Sequence, residues 1–193
     1  MIAFCLSAFG LTGANAGAGP LDSPGAVKSL VCTACHGPGG NSPGATVPIL
    51  AGMAPAYFQK AIKDYSEGRR PSPEMEPYSK YVLQHGAEDI GAYFAEQKKQ
   101  PTRIKTEPNA AKRGMATAGQ CVACHLKGEG DPGKGAPDLR GQPPGYLQTQ
   151  MVLFREDKRK LDDPALEEQK KKVLKSLGEK DLADLAAYYS SLR

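Results

Sequence analysis

The stretch Cys32-Thr33-Ala34-Cys35-His36 constrains this chain more than any other. The chain carries it twice, as Cys121-Val122-Ala123-Cys124-His125 repeats the pattern. Cys-x-x-Cys-His is the spacing of c-type haem attachment. Two thiols one short turn apart can each bond a vinyl group of one haem, and the adjacent imidazole then serves as the proximal ligand. A four-Cys zinc site or a redox dithiol is the alternative. The gap between the pairs is far longer than a zinc ribbon uses, and a His after each pair would be unexplained. The motifs therefore predict two covalent haem c groups. Cys32, Cys35, Cys121 and Cys124 are the attachment thiols, and His36 and His125 the proximal ligands.

The repeat extends well beyond the motifs. At an offset of 89, Pro48, Leu50 and Gly52 fall on Pro137, Leu139 and Gly141, Tyr57 falls on Tyr146, Tyr65 on Phe154, and Arg70 on Arg159. Nearer the end of each half the offset becomes 95, with Asp89 on Asp184 and Tyr93 on Tyr188. The second half thus carries about six extra residues near Leu161–Leu166. Each half is a small unit that buries little apolar surface by itself, so a haem is expected to complete its core. The polar, Pro-bearing stretch 101–109 reads as a linker. The expected division is a leader at 1–16, a first domain at 17–100, the linker, and a second domain at 110–193.

Residues 1–16 read as an export signal. Ile2–Leu11 is an apolar run, and Ala14-Asn15-Ala16 has the small-x-small form of a cleavage site. No Lys or Arg precedes the run, which points to a true start upstream of Met1. The run is short for a bilayer span, which takes about 20 residues. Haem c is attached outside the cytoplasm, so an exported, periplasmic protein agrees with the motifs. Four of the five Cys sit in the motifs and Cys5 sits in the leader, so no structural disulfide is expected. The net charge of +4 is modest and dispersed; it gives no reason to expect a nucleic-acid partner.

Helices are expected over 25–35 and 110–124, each running into its motif. Apolar residues at three- and four-residue spacing predict helices over 54–67 and 144–158, and terminal helices over 87–99 and 179–192. The Gly- and Pro-rich stretches 37–52 and 126–143 read as loops. No strand pattern is present, and the fold class is all-α.

The sixth ligands are expected to differ between the halves. Met75 lies 39 residues beyond His36 in a stretch of Pro, Ser and Glu that reads as loop. A thioether there favours ferrous iron and raises the potential. Met53 is a rival, only 17 residues after His36. The second half has no Met beyond Met151, and Met151 aligns with Ile62, a helical core position. At the offset of 95, Lys170 stands in register with Met75. A neutral amine is a harder donor that favours ferric iron, and it must lose a proton to bind. The alternatives are Lys171, Lys172 or Met151 as ligand, or an iron left open or water-bound. His85 is the one spare imidazole and reads as a surface residue.

Taken together, these residues resemble the dihaem cytochrome c4 family over nearly all of the mature chain. The likeness rests on Cys32–Gly37, Pro48–Gly52, Tyr57, Gly68-Arg69-Arg70 and Met75. In the second half it rests on Cys121–His125, Pro137–Gln142, Tyr146 and Asp184–Tyr189. The resemblance implies two tandem class I cytochrome c domains with their haems facing across the interface. It implies that the Pro48 and Pro137 carbonyls accept hydrogen bonds from the proximal His rings. It also implies that Tyr57, Arg70, Tyr146 and Arg159 reach haem propionates or the interface. Lys170 departs from the family pattern, which has Met in both halves. The cytochrome subunits of flavocytochrome c sulfide dehydrogenase and the dihaem partners of thiosulfate dehydrogenase are similar too. The implied function is electron transfer between respiratory donors and a terminal oxidase or reductase, with redox proteins such as a membrane oxidase or a bc-type complex as partners. The alternative is a cytochrome subunit or partner of a sulfur-oxidising enzyme, with a catalytic or ligand-binding second haem. No residue is assigned a catalytic role.

Overall fold

The computed structural model describes residues 21–131 and 135–193; the expected leader lies outside them. Ten α-helices follow in order among the described residues. They are α1 Pro24–Lys28, α2 Leu30–His36, α3 Pro55–Ser66, α4 Met75–His85, α5 Ala87–Glu96, α6 Pro108–Thr117, α7 Val122–His125, α8 Pro144–Arg155, α9 Pro164–Lys175 and α10 Glu179–Ser191. No strand forms among the described residues; Asp131 and Ala136 make an isolated bridge. The chain is all-α.

Local chemistry sets the helix starts. Proline opens α3, α6, α8 and α9 at the first turn, where its missing N–H costs nothing and its fixed φ suits the helix. Glu107 caps α6 by accepting from the Asn109 and Ala110 amides. Asp163 caps α9 by accepting from Ala165 and Leu166.

Three expectations need correction. The helix expected over 25–35 divides at Ser29, whose hydroxyl donates back to the Ala26 carbonyl at 2.7 Å, a local bond that competes with the helical ladder. The helix expected over 110–124 passes through a 3₁₀ turn at Ala118–Gln120 before α7. Met75, expected in a loop, is the first residue of α4, and its amide donates to the Ser72 carbonyl at 3.1 Å. The charged run Glu167–Lys172 lies within α9.

The two halves use the same helix crossing. A Cβ on Gly25 would lie 2.0 Å from the Asp89 carbonyl oxygen of α5, and one on Gly114 would lie 2.0 Å from the Asp184 carbonyl of α10. Backbones approach this closely only where a side chain is absent. The glycines differ by 89 and the aspartates by 95, so the crossing carries both offsets of the repeat.

Asp184 also accepts two bonds from Arg113, at 2.7 and 2.8 Å, and one from Lys180 at 2.6 Å. These partners, Arg113 foremost and then Lys180, bring its carboxyl down from 3.8 to about 2. A depressed folded-state pKa contributes stability above the unfolded value, and that contribution is lost as pH falls through the folded one. Unfolding followed against pH should therefore steepen between about pH 4 and 2. Asp184→Asn should remove that part of the slope.

Behind each crossing lies an apolar cluster. Phe58, Ile62, Val82, Ile90 and Phe94 form the first, with Cys32, Met53 and Met75 packed against it. Tyr146, Leu147, Leu185, Ala186 and Tyr189 belong to the second, with Cys121, Leu139 and Met151 against it. A third cluster, Phe154, Leu174 and Leu182, anchors α9.

The halves are bonded to each other through buried polar groups. The Gln142 amide accepts from the Ile49 N–H and donates to the Ile49 carbonyl, both at 2.9 Å. The Tyr146 amide donates to the Ala45 carbonyl at 3.2 Å, and the amide of Thr102, in the stretch between the halves, donates to the Gly141 carbonyl at 2.8 Å. The extra residues of the second half dock here as well. The Lys160 amide donates to the Arg69 carbonyl at 2.8 Å, and Asp162 pairs with Arg69 and Lys60.

Candidate cofactor sites

Each Cys-x-x-Cys-His segment ends a helix, and a loop of fixed length returns a proline carbonyl to its imidazole. His36 Nδ1 lies 2.8 Å from the Pro48 oxygen, and His125 Nδ1 lies 3.3 Å from that of Pro137. A ring that donates through Nδ1 keeps its Nε2 lone pair for a metal. Burial lowers the pKa of His36. Burial, and then the Lys170 charge, bring His125 down to about 4. Both rings are therefore neutral at pH 7, as metal ligation requires.

All four motif thiols are free. Burial pushes Cys32 up to about 11 and raises Cys121 as well. Among the described residues, no three or more His, Cys, Asp or Glu side chains gather in a way that could hold a metal ion, so the two pairs do not form a single four-thiol site.

In the first half, Cys32 and Met75 are half-buried against the same apolar cluster, and Met53 also touches it. His85 is exposed and stacks on Tyr81 with ring centres 4.0 Å apart.

In the second half, Cys121, Cys124, His125, Met151, Phe154 and Lys170 line one cavity. The Lys170 ammonium lies 3.7 Å from the centre of the Phe154 ring. Burial first, and the neighbouring Arg159 charge second, bring this amine down to about 7. The adjacent lysines differ: Lys171 pairs with Glu168 at 2.8 Å, and Lys172 is exposed.

The tyrosine and arginine pairs of the repeat bond crosswise. Arg70 donates to the Tyr146 hydroxyl at 2.7 Å, and Arg159 to the Tyr57 hydroxyl at 3.1 Å. Each guanidinium also covers an aromatic ring of its own half at 4.5 Å, Tyr65 under Arg70 and Phe154 under Arg159. Tyr57, from the first half, lines the cavity of the second. Burial tends to raise its phenol, but the Arg159 and Arg70 charges outweigh this and bring it to about 7.

Sequence reasoning missed Gln150, which accepts from both arginines: from Arg70 Nε at 3.1 Å and from Arg159 at 2.7 Å. At the offset of 89 it falls on Ala61, so the repeat held no signal for it. Gln142 stood at the end of the Pro137–Gln142 motif, but its bond to Ile49 crosses between the halves, which no local pattern encodes.

These residues fit a haem. The Arg70 and Arg159 guanidinium groups are buried, and neither has a carboxylate in salt-bridge reach among the described residues. Arg159 Nε is a buried donor with no partner. Buried cations and donors of this kind call for an anion, and a carboxylate is the natural partner of a guanidinium. The propionates of a haem would supply such carboxylates.

Fold and sites together define a c-type cytochrome. The Cytochrome c family profile matches residues 110–193. Cytochrome c4 of Pseudomonas aeruginosa is 33% identical over 97% of this chain and 96% of its own. The crystal structure of reduced recombinant cytochrome c4 from Pseudomonas stutzeri superposes with a TM-score of 0.77 at 32% identity, over 86% of this chain and 96% of that one. The thiosulfate dehydrogenase electron acceptor of Thiomonas intermedia is 28% identical over 70% of this chain and 67% of its own. The chain belongs to the cytochrome c4 family, dihaem electron-transfer cytochromes whose family membership implies covalently bound haem c.

Proposed function

We propose that this protein is a periplasmic carrier with two unlike redox centres, passing electrons one at a time from a respiratory donor to a terminal oxidase or reductase. The observation that carries the reading is the pairing of two equivalent His–Pro units with different candidate sixth ligands, Met75 in one half and Lys170 in the other. Haem c supplies reversible one-electron iron chemistry when bound, as in other members of the family.

The residues of the chain set the terms of that chemistry. Cys32 and Cys35 hold the first group and Cys121 and Cys124 the second. His36 and His125 would present Nε2 to the iron while Pro48 and Pro137 fix their rings. Met75 would ligate the first group. Lys170, whose amine is brought down to about 7 by burial, would ligate the second. Arg70 and Arg159 would pair with the propionates, held in place by Tyr146 and Tyr57. The haem-bearing domains are residues 17–100 and 110–193, joined by 101–109, and export removes 1–16. A thioether on one iron and an amine on the other would make the first centre the higher in potential.

A second reading is a carrier serving a reduced-sulfur enzyme, favoured by the likeness to the thiosulfate dehydrogenase electron acceptor. Reductive titration of the holoprotein should consume two electrons per chain in two resolved one-electron steps. The isolated chain should neither oxidise thiosulfate nor turn over peroxide. Turnover of either by the chain alone would overturn the carrier reading.

A further inference from the structure

We propose that Gln150 is a positioning residue shared by both redox centres, a single carbonyl that holds the arginine of each half. The inference rests on the two-centre reading above. Its physical basis is the arrangement at the interface. Gln150 Oε1 accepts from Arg70 at 3.1 Å and from Arg159 at 2.7 Å. One neutral oxygen thus spans two guanidinium groups of the same sign, one from each repeat. The arginines are otherwise held by phenols, Tyr146 for Arg70 and Tyr57 for Arg159, each from the opposite half. The network has no carboxylate of the chain in it. Two buried like charges repel one another, so the carbonyl dipole between them fixes where each can sit.

The Arg–Tyr pairs obey the pseudo-twofold relation of the repeat, and Gln150 does not, since Ala61 is its counterpart. The second half therefore supplies the only glutamine of this bridge, and moving it displaces both arginines together. Arg159 lines the second cavity, and Arg70 is its equivalent over the Tyr65 ring. A change at Gln150 thus reaches both irons through their guanidinium groups, though Gln150 sits on the helix of only one half.

The test is spectroelectrochemical titration of both haems in Gln150→Glu and Gln150→Leu holoproteins. A glutamate carboxylate between two arginines is ionised. It can still accept from both while adding one negative charge. Both midpoints should fall in Gln150→Glu, each reduction equilibrium changing at least threefold, or about 28 mV at 59 mV per tenfold for one electron. Gln150→Leu leaves both guanidinium groups without that acceptor, and both midpoints should move from the wild-type values. Should the leucine variant fail to fold, Gln150→Ala, which removes the same acceptor without the added bulk, takes its place. A shift confined to the second haem would make Gln150 a residue of its own half and overturn the proposal. Unchanged midpoints with a lower unfolding temperature would do the same, since that is the mark of a purely structural interface residue. Haem content by pyridine haemochrome on the wild-type protein separates the two questions. Fewer than two haems per chain there would count against the two-centre reading itself.

Discussion

Lys170→Met should raise the midpoint potential of the second haem by more than tenfold in its reduction equilibrium, above about 59 mV for one electron, and leave the first nearly unchanged. The direction follows from ligand chemistry. A thioether is soft and favours ferrous iron, whereas an amine is harder and favours ferric. Lys170 is suited to the role on three counts. It lines the cavity with His125, it packs over Phe154 at 3.7 Å, and burial with the Arg159 charge brings its amine to about 7. Lys171 is engaged with Glu168 and Lys172 is exposed, so neither neighbour competes. The substitution removes a half-buried amine and supplies the ligand type proposed for the first half. Spectroelectrochemical titration of variant and wild type checks it. An unmoved second midpoint would remove Lys170 from the ligand set.

Gly114→Ala should destabilise the protein by about 3 kcal/mol, lowering the unfolding temperature by roughly 6–12 °C for a chain of this size. The sign is the informative part. Intrinsic helix propensity alone predicts a gain of about 1 kcal/mol for this change within a helix. Against it stands a Cβ that would lie 2.0 Å from the Asp184 oxygen and 2.5 Å from its carbonyl carbon, both backbone atoms of α10. Neither can move away without opening the crossing and its Arg113–Asp184 bonds. Gly119→Ala is the control, because a Cβ there meets nothing within 4 Å. That change should be neutral or mildly stabilising in thermal unfolding, through the reduced freedom of the unfolded chain.

Much of this architecture was legible in the residues themselves. The motifs and the offset of 89 paired the two Cys-x-x-Cys-His segments, and the family resemblance pointed to the proline carbonyls that the structure places against their imidazoles. Apolar spacing found α3, α5, α8 and α10, since their buried faces alternate with polar ones. The helices that carry the candidate sixth ligands were harder to read. The approach to α4 holds Pro71 and Pro73, its first turn holds Pro77, and prolines near a helix start look like those of a loop. α9 is rich in charge and is held by the Asp163 cap and by Leu174 against Phe154 and Leu182.

Met75 and Lys170 are each 18 residues before their terminal tyrosine, yet Met75 opens α4 while Lys170 lies in the middle of α9. The extra residues of the second half explain the difference, because they start α9 earlier relative to its partner helix. The interface was the least legible part. The repeat shows that Arg70 corresponds to Arg159 and Tyr57 to Tyr146, but correspondence does not say that each arginine bonds the other half's tyrosine. Gln150 breaks the repeat altogether and is found only in three dimensions.

Near-infrared magnetic circular dichroism of the oxidised holoprotein tests the central claim most directly, because its charge-transfer bands report the axial ligands of each ferric haem. The account predicts two low-spin centres, one with the histidine–methionine signature and one with the histidine–amine signature, the latter absent from Lys170→Met. A high-spin second centre that is unchanged in Lys170→Met would contradict it, and would mark that iron as a site for a small molecule instead of a station for electrons.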